Sequence, residues 1–483
     1  MERYLTGWRW AGAVILVMAL QAALILHHRA WLDEWQALQI AVQSPGVGDL
    51  VHNLRYEGHP PLWYLMLRGF ATVLPDPVWA LPAAALVIAF GMQVLIVFEA
   101  PFPREIRLML ALSEPVLFEF LTVSRSLTLG AFLILIAVAT ERRRVLPWIA
   151  IALLPLCDAL FGFISLLLVV QRLRGEGPRW PVVLWLAGGL LAAWSVYPAH
   201  DVVPPLDTGG MVRAMSNWMA FIATVALPVQ MKGLSFQWNE PVPALIGIPC
   251  AFAFLYMAMQ ELEADAVDRI GFILLLLATL VFSVAVYPLS IRHLMVLGLV
   301  LVALVWRRAA RGGAGPGTWM RIWLAAGAAS GLLAAGIAFA RPFDMAPEAL
   351  ALIRRDRLEH ATWVVFPQSA AQGIAALGRM RFERLYRHCS EDFIRWDDRD
   401  EHRLAEYAPF MAALRAKRDA DGAYYLITWF DLDDQPGLLR RIGHIGPGYD
   451  GQEWYFYAVG EGAHPAVPHP ARCNGPARDL APV

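Results

Sequence analysis

The hydrophobic residues of this chain fall into long blocks. Residues 10–26 hold one polar side chain, Gln21, and five further blocks occupy residues 78–98, 180–198, 241–260, 270–291 and 319–340. An α-helix rises about 1.5 Å per residue, so each block is long enough to cross roughly 30 Å of hydrocarbon. Residues 106–123, 127–140, 145–171, 214–231 and 293–306 form shorter or more polar candidates. The pattern predicts an α-helical polytopic membrane protein of about 10–12 spans. A buried soluble helix would account for any one block, but not for so many together.

The pattern changes after Ala340. Domain boundaries follow from that change: 1–340 for the membrane part, 341–460 for a second domain, and 461–483 for an irregular tail rich in Pro, Gly and His. In the second domain, residues 362–366 read as a buried strand and 369–379 as a helix. Residues 402–417 read as a longer helix with Leu404, Tyr407, Met411 and Leu414 on one face, and 423–430 and 453–459 as strands. Strands alternating with helices predict a small α/β domain. Pro367-Gln368-Ser369 is only a turn into a helix, and no glycine-rich phosphate loop follows Phe366, which argues against a dinucleotide site.

Composition agrees with the blocks. The 483 residues are 58% hydrophobic and only 17% charged, below the roughly one quarter usual for soluble domains. The net charge of −1 and the absence of a basic stripe exclude nucleic acid as a partner. Four cysteines are too few and too scattered for a metal knuckle. Cys157 and Cys250 fall in apolar blocks, while Cys389 and Cys473 fall in the second domain, where a disulfide is open to them. Arg3 and Arg9 precede the first block and no small-x-small site follows it at residues 27–30, so it reads as an anchor and not a cleaved signal.

Basic residues cluster at 141–144, 172–179 and 307–311, each beside a span, and are assigned to the cytoplasm. That assignment puts the loop 28–61 and everything from Arg341 onward outside. It also requires an even number of crossings between residues 145 and 171, hence a tight hairpin near Asp158.

The loop 28–61 carries the richest chemistry. Trp31-Leu32-Asp33-Glu34-Trp35 opens it, and residues 53–64 read Asn-Leu-Arg-Tyr-Glu-Gly-His-Pro-Pro-Leu-Trp-Tyr. Ser44-Pro45 marks a helix start, with Pro at the first helical position, and Gly58 followed by Pro60 marks a stop. His52, Arg55, Tyr56 and His59 then share helical spacing, with His59 just past the end, and would line a polar face along the membrane surface. Trp31 and Trp35 are interface-seeking rings that would hold Asp33 and Glu34 near lipid headgroups. Taken singly, the two acids also read as solvated loop carboxylates, and His59 as a structural histidine.

Together these residues resemble the GT-C glycosyltransferases. An Asp-Glu pair just after the first helix, followed by His59-Pro60-Pro61-Leu62-x-Tyr64, looks like the branch containing the protein O-mannosyltransferases and the lipid A aminoarabinose transferases. The resemblance is specific over residues 31–64 and schematic beyond residue 140. It implies Asp33 as the catalytic carboxylate and Glu34 as its adjacent acid, with Glu57 and His59 on the substrate. It implies a polyprenyl-phosphate-linked sugar as donor, a glycan, lipid or protein as acceptor, and the outer face of a bacterial plasma membrane as the location. Metal ions assist some members and not others, so a divalent ion at Asp33 and Glu34 stays open.

Charges inside the apolar blocks extend the candidate site. Glu114, Glu119 and Arg125 sit where an unpaired charge costs several kcal/mol. Glu119 and Arg125 are too far apart along one helix to share a face, so each needs a chain break or a partner on another helix. Arg125 reads either as half of a structural ion pair or as a ligand of the carrier phosphate, and the resembling family carries an Arg near this point. Arg292-His293 closes a span on the outer side, against the usual basic-residue bias. It reads as a phosphate clamp or as a headgroup anchor, and Lys232 near Trp238 is a weaker candidate of the same kind. The chemistry expected is removal of the acceptor's proton by a carboxylate and stabilisation of the leaving phosphate by cations. Two other classes fit the same blocks: a flippase or transporter of lipid-linked sugars, and a membrane scaffold with an outer binding domain. Neither requires the acid pair, and the inverted repeats common among transporters are absent.

Overall fold

The structure, a computed structural model, describes residues 7–175, 178–202, 210–233, 235–391, 393–397, 407–461, 470–473 and 475. Nearly all of the 461–483 tail and the first five residues of the 402–417 helix lie outside the described residues. The chain begins with α1 (Gly7–His27), α2 (Leu32–Gln43), α3 (Val47–Glu57), α4 (Leu62–Val73), α5 (Ala80–Val94), α6 (Arg104–Ala111) and α7 (Ser126–Ala139). It continues through α8 (Leu146–Leu153), α9 (Ala159–Arg174), α10 (Val182–Ser195) and α11 (Gly210–Ala226) to a small hairpin, β1 (Met231–Lys232) and β2 (Ser235–Phe236). Then come α12 (Ala244–Glu261), α13 (Ala266–Ala285), α14 (Ile291–Ala310) and α15 (Thr318–Ala340).

Among the described residues six helices are long and apolar enough to cross a membrane: Gly7–His27, Pro77–Glu99, Ala244–Glu261, Ala266–Ala285, Ile291–Ala310 and Thr318–Ala340. The chain is therefore a polytopic membrane protein, with fewer full-length helices than the expected 10–12 spans. The difference has local causes. Pro115, which lacks an N–H and clashes with the preceding turn, divides block 106–123 into α6 and a π-helical turn, Pro115–Phe120. Pro155 and Asp158 divide block 145–171, and Asp158 caps α9 by accepting from the Leu160 N–H at 3.0 Å. The chain breaks where the basic clusters required a turn.

α7, α11, α13 and the Pro115–Phe120 turn pack against α14, in which every residue from Ile291 to Arg307 is buried. The fifteen-residue separation of Arg292 and Arg307 spans about 22 Å of helix. At the Arg307 end the three basic segments meet around Glu141. Its Oε1 accepts from Arg307 Nε at 2.6 Å and Arg311 Nη2 at 2.5 Å, while Arg172 donates to the Arg143 carbonyl at 2.7 Å. At the other end Arg292 donates to the Val123 carbonyl at 3.0 Å.

After α15 comes a six-stranded mixed sheet. Its elements are α16 (Ala346–Arg355), β3 (Trp363–Phe366), α17 (Gln372–Gly378), β4 (Phe382–Arg384), β5 (Ser390–Glu391), α18 (Tyr407–Asp421), β6 (Tyr424–Thr428), β7 (Leu439–Ile445) and β8 (Trp454–Val459). The strand order is β5-β4-β3-β6-β8-β7, with β3 parallel to β4 and β6 and the other pairs antiparallel. Alternation along β3 feeds two cores. Trp363 and Val365 face α16 and α17, while Val364 and Phe366 face Phe410, Met411 and Leu414 of α18. The expected α/β layering is present, and Cys389 is bonded to Cys473. β4, β5 and β7 were not legible in the sequence because they are short or charged.

The sheet domain sits on the bundle end that holds Arg292. Phe343 and Tyr449 pack with Trp238 and Phe118, the Trp238 N–H donates to the Tyr449 carbonyl at 3.0 Å, and Arg29 grips Glu348 at 2.6 Å. Below this junction α15 lies directly on the chain break. A Cβ at Gly331 would stand 2.0 Å from the Leu112 carbonyl oxygen and 2.8 Å from the Glu114 nitrogen. Gly331→Leu is expected to destabilise the protein by about 1–3 kcal/mol or more through overpacking. Gly336→Leu, where nothing lies within 4 Å, is expected to be nearly silent. Thermal unfolding of both variants in detergent checks this, and equal melting points would contradict the packing.

Candidate functional site

Neighbouring residues on a helix point about 100° apart, so Asp33 and Glu34 cannot serve one ligand from the same direction. They begin α2, and their fates differ. Glu34 turns inward and is fully buried. Its Oε2 reaches back to accept from the Trp31 N–H at the start of α2 at 3.1 Å, and lies 2.8 Å from His28 Nε2. Its Oε1 accepts from the Ser124 N–H at 2.8 Å and the Ser124 hydroxyl at 3.2 Å. Four donors saturate this carboxylate, which leaves it no capacity for an acceptor or a metal.

Asp33 turns the other way, and its side chain is 29% exposed. It forms an ion pair with Arg125, whose backbone is extended just before α7. The Arg125 Nη2 lies 3.2 Å from His59 Nε2. Arginine only donates, so the imidazole must accept at Nε2 and carry its proton on Nδ1. Nδ1 faces Asp158 Oδ2 at 3.2 Å, within ion-pair range but off hydrogen-bond alignment. Four groups from four segments thus form one chain: Asp33, Arg125, His59, Asp158. The open end is Asp33.

Glu57 lies deeper. Its carboxylate accepts from Gln36 Nε2 at 2.6 Å, and burial pushes its carboxyl above the ordinary range, against the opposing pull of Gln36, His59 and Arg125. Arg292 is buried behind the chain. One guanidinium nitrogen holds the Val123 carbonyl, Nε stands 3.9 Å from Glu119 Oε2, and the Trp238 ring lies 5.9 Å away. Among the described residues its Nε and Nη1 make no hydrogen bond, so two donor nitrogens of this cation stay unspent. Glu119 also accepts from Trp238 Nε1 at 2.7 Å and from Gln230 Nε2 at 2.6 Å, and Gln230 reaches Glu114 at 3.0 Å. Glu119 and Arg125 therefore find separate partners across a chain break. His293 is occupied locally, with Nδ1 2.7 Å from the Ser290 hydroxyl and 3.2 Å from the Ser290 nitrogen at the start of α14.

Of the residues singled out from sequence, Asp33, His59 and Arg125 come into direct contact. Glu57 and Arg292 flank them, Glu34 becomes an anchor, and His293 caps its own helix. Of the expected face, His52, Arg55 and Tyr56 project from α3 onto other parts of the protein, and His59 stands past the helix end as expected. His52 meets Arg395 at 2.6 Å, Arg55 donates to the Tyr197 carbonyl at 2.8 Å, and Tyr56 donates to Asp201 at 2.8 Å. Gly58 takes a left-handed conformation (φ 70°) that ends α3 and turns His59 away. α3 starts at Val47, two residues after the expected Pro45. Lys232 pairs with Glu240 at 3.9 Å on the surface and joins no site.

Sequence reading missed Asp158 and Gln36 as site residues. Asp158 did carry a signal, a lone carboxylate in an apolar block, but it was used only for topology. Gln36 had none. Among the described residues no three His, Cys, Asp or Glu side chains converge as a metal site. With Glu34 saturated and Asp33 on Arg125, these two acids do not fit a divalent ion. Comparison with known protein families, with curated proteins and with solved structures returned no match.

The two acids are expected to separate by stability. Glu34→Ala strands the Ser124 and Trp31 donors in the interior and should cost about 2–5 kcal/mol. Asp33→Asn keeps an acceptor for Arg125 at a half-open position and should cost less. Thermal unfolding of the two purified variants measures this, and equal losses would contradict the division into anchor and open acid.

Proposed function

We propose that this chain is a membrane glycosyltransferase of the GT-C kind, moving a sugar from a polyprenyl-phosphate carrier to an acceptor hydroxyl or amine. The observation that carries the reading is the half-open Asp33 carboxylate joined to Arg125 and His59, beside the unspent donors of Arg292. The proposed reaction is one displacement. The acceptor atom bonds to the anomeric carbon, the bond from that carbon to the carrier phosphate oxygen breaks, and polyprenyl phosphate leaves with the electron pair. Asp33 takes the acceptor's proton. Arg125 and Arg292 meet the negative charge that develops on the phosphate, in surroundings dry enough to make that charge costly elsewhere.

The Asp33–Arg125 pair has a role in this sequence. Before donor binding, Arg125 neutralises Asp33. An arriving phosphate competes for the guanidinium and frees the carboxylate as a base. His59, held with its proton toward Asp158, accepts from Arg125 through Nε2 and so orients the fork. Asp33→Asn should reduce transfer by about two to four orders of magnitude while the protein still folds. Release of polyprenyl phosphate from a panel of lipid-linked sugars is the assay. Wild-type turnover in Asp33→Asn would sink the mechanism.

Sidedness follows from charge. The basic segments gather around Glu141 at the far end of α14 from Arg292, which supports a cytoplasmic assignment for that end. The site and the C-terminal domain then belong on the outer face of a bacterial plasma membrane. Cysteines introduced at the exposed positions Asp49 and Ala420 should react with an impermeant maleimide in intact cells, and one at the exposed Arg143 only after lysis. The reverse pattern would invert the topology.

A further inference from the structure

The C-terminal domain reaches the site through one amide. Gln36 follows Asp33 by three residues on α2, on the same helix face, and is buried. Its Oε1 accepts from the Ile394 N–H at 2.9 Å. Its Nε2 donates to the Ile394 carbonyl at 2.8 Å and to Glu57 Oε1 at 2.6 Å. The oxygen and nitrogen of a glutamine amide look alike by shape, so orientation has to come from partners. Here the two-way bond to the backbone N–H and carbonyl of one residue, Ile394, decides it, and the end that donates to the Ile394 carbonyl is also the end facing Glu57.

The Ile394 backbone is itself held in place. The Arg395 guanidinium lies 4.0 Å above the Tyr56 ring and 2.6 Å from His52 Nε2. Asp397 bridges to Val202 and stands 3.5 Å from Arg384 Nη1. Arg384 belongs to β4 and also bonds Glu391 of β5 at 2.7 Å. A rigid route thus runs from the sheet to Ile394, then to Gln36, then to Glu57.

We propose that Gln36 is a positioning residue, oriented by the Ile394 peptide of the C-terminal domain, and that it holds the Glu57 carboxylate for the Asp33–Arg125–His59 chain. The domain is then a working part of the site and not an appended binding module. The clamp does not depend on the transfer chemistry, but its effect on turnover rests on that reading. The charged and titratable groups acting on Glu57 are His59, Arg125 and Asp33, and Glu57 in turn acts on Tyr64 and Tyr287.

An amide N–H stabilises the carboxylate and not the acid, so the Gln36–Glu57 contact strengthens as pH rises through the Glu57 titration. Burial moves that titration above the ordinary carboxylate range. The test is thermal unfolding of the full-length protein in detergent between about pH 5 and about pH 8. Gln36→Met keeps the side-chain length and loses the donor. Its melting-point loss relative to wild type should grow with pH and then level off. In a Glu57→Gln background the same substitution should lose the same amount at every pH. Ile394→Pro removes the orienting N–H from the C-terminal side and should reproduce the pH-dependent loss. Added to Gln36→Met, it should contribute none. If Gln36→Met does not fold, Ile394→Pro in the two Glu57 backgrounds carries the test alone. A pH-independent loss in Gln36→Met overturns the clamp, and a pH-independent loss in Ile394→Pro overturns the domain's part in it. With lipid-linked sugar donors, Gln36→Met should move the acidic limb of kcat/KM upward by about one pH unit. A wild-type protein without transfer activity would end the glycosyltransferase reading and leave the unfolding experiment to decide the clamp.

Discussion

Residues 123–125 link two helical segments: the Val123 N–H still bonds the Phe118 carbonyl and the Arg125 carbonyl accepts from the Thr128 N–H, while the Val123 carbonyl and the Ser124 N–H turn to side chains. Three charged side chains from elsewhere hold them. Arg292 takes the Val123 carbonyl, Glu34 takes the Ser124 N–H and hydroxyl, and Asp33 pairs with the Arg125 side chain. Burying a carboxylate such as Glu34 is tolerable only when its lone pairs are filled, and four donors fill them. Once Glu34 is fixed inward, helical geometry forces Asp33 outward. Once Ser124 is fixed, the Arg125 backbone lies where its side chain meets Asp33 and His59. The site geometry is a consequence of that one buried carboxylate.

The chain break that makes room for this arrangement has its own origin. Pro115 supplies no N–H to the preceding turn, and the chain answers with a π-helical turn through Phe120, a feature common at functional sites. The turn projects Glu119 toward Gln230, Trp238 and Arg292, and α15 can lie against the break because Gly331 has no side chain there. Two separate charge groups result: Glu114, Glu119 and Arg292 behind, and Asp33, Arg125, His59 and Asp158 in front. Arg292 touches the rear group and still has donors to spare.

Legibility in the sequence followed the range of the interactions. Long apolar blocks depend on local composition, so the membrane character and the α/β layering could be read directly. Among the described residues fewer helices keep full span length than the expected 10–12 spans, because Pro115, Pro155 and Asp158 break blocks whose average hydropathy stays high. Asp33, His59 and Arg125 were individually visible, yet their contact crosses 66 and 92 positions and could not be read from spacing. The difference between Asp33 and Glu34 was invisible for the same reason, since it is set by Ser124 and His28. Gln36 is an ordinary polar residue on a loop helix, and only the Ile394 peptide, 358 positions away, gives it a role.

In the proposed function Arg125 is a phosphate ligand held in reserve by Asp33. The affinity of the purified protein for polyprenyl phosphate, measured with wild type, Asp33→Ala and Arg125→Leu, tests it most directly. Removing the competing carboxylate should tighten binding in Asp33→Ala, and removing the cation should abolish it in Arg125→Leu. Affinities unchanged by both substitutions would mean that the ion pair serves only the fold, and the account of the site would be wrong.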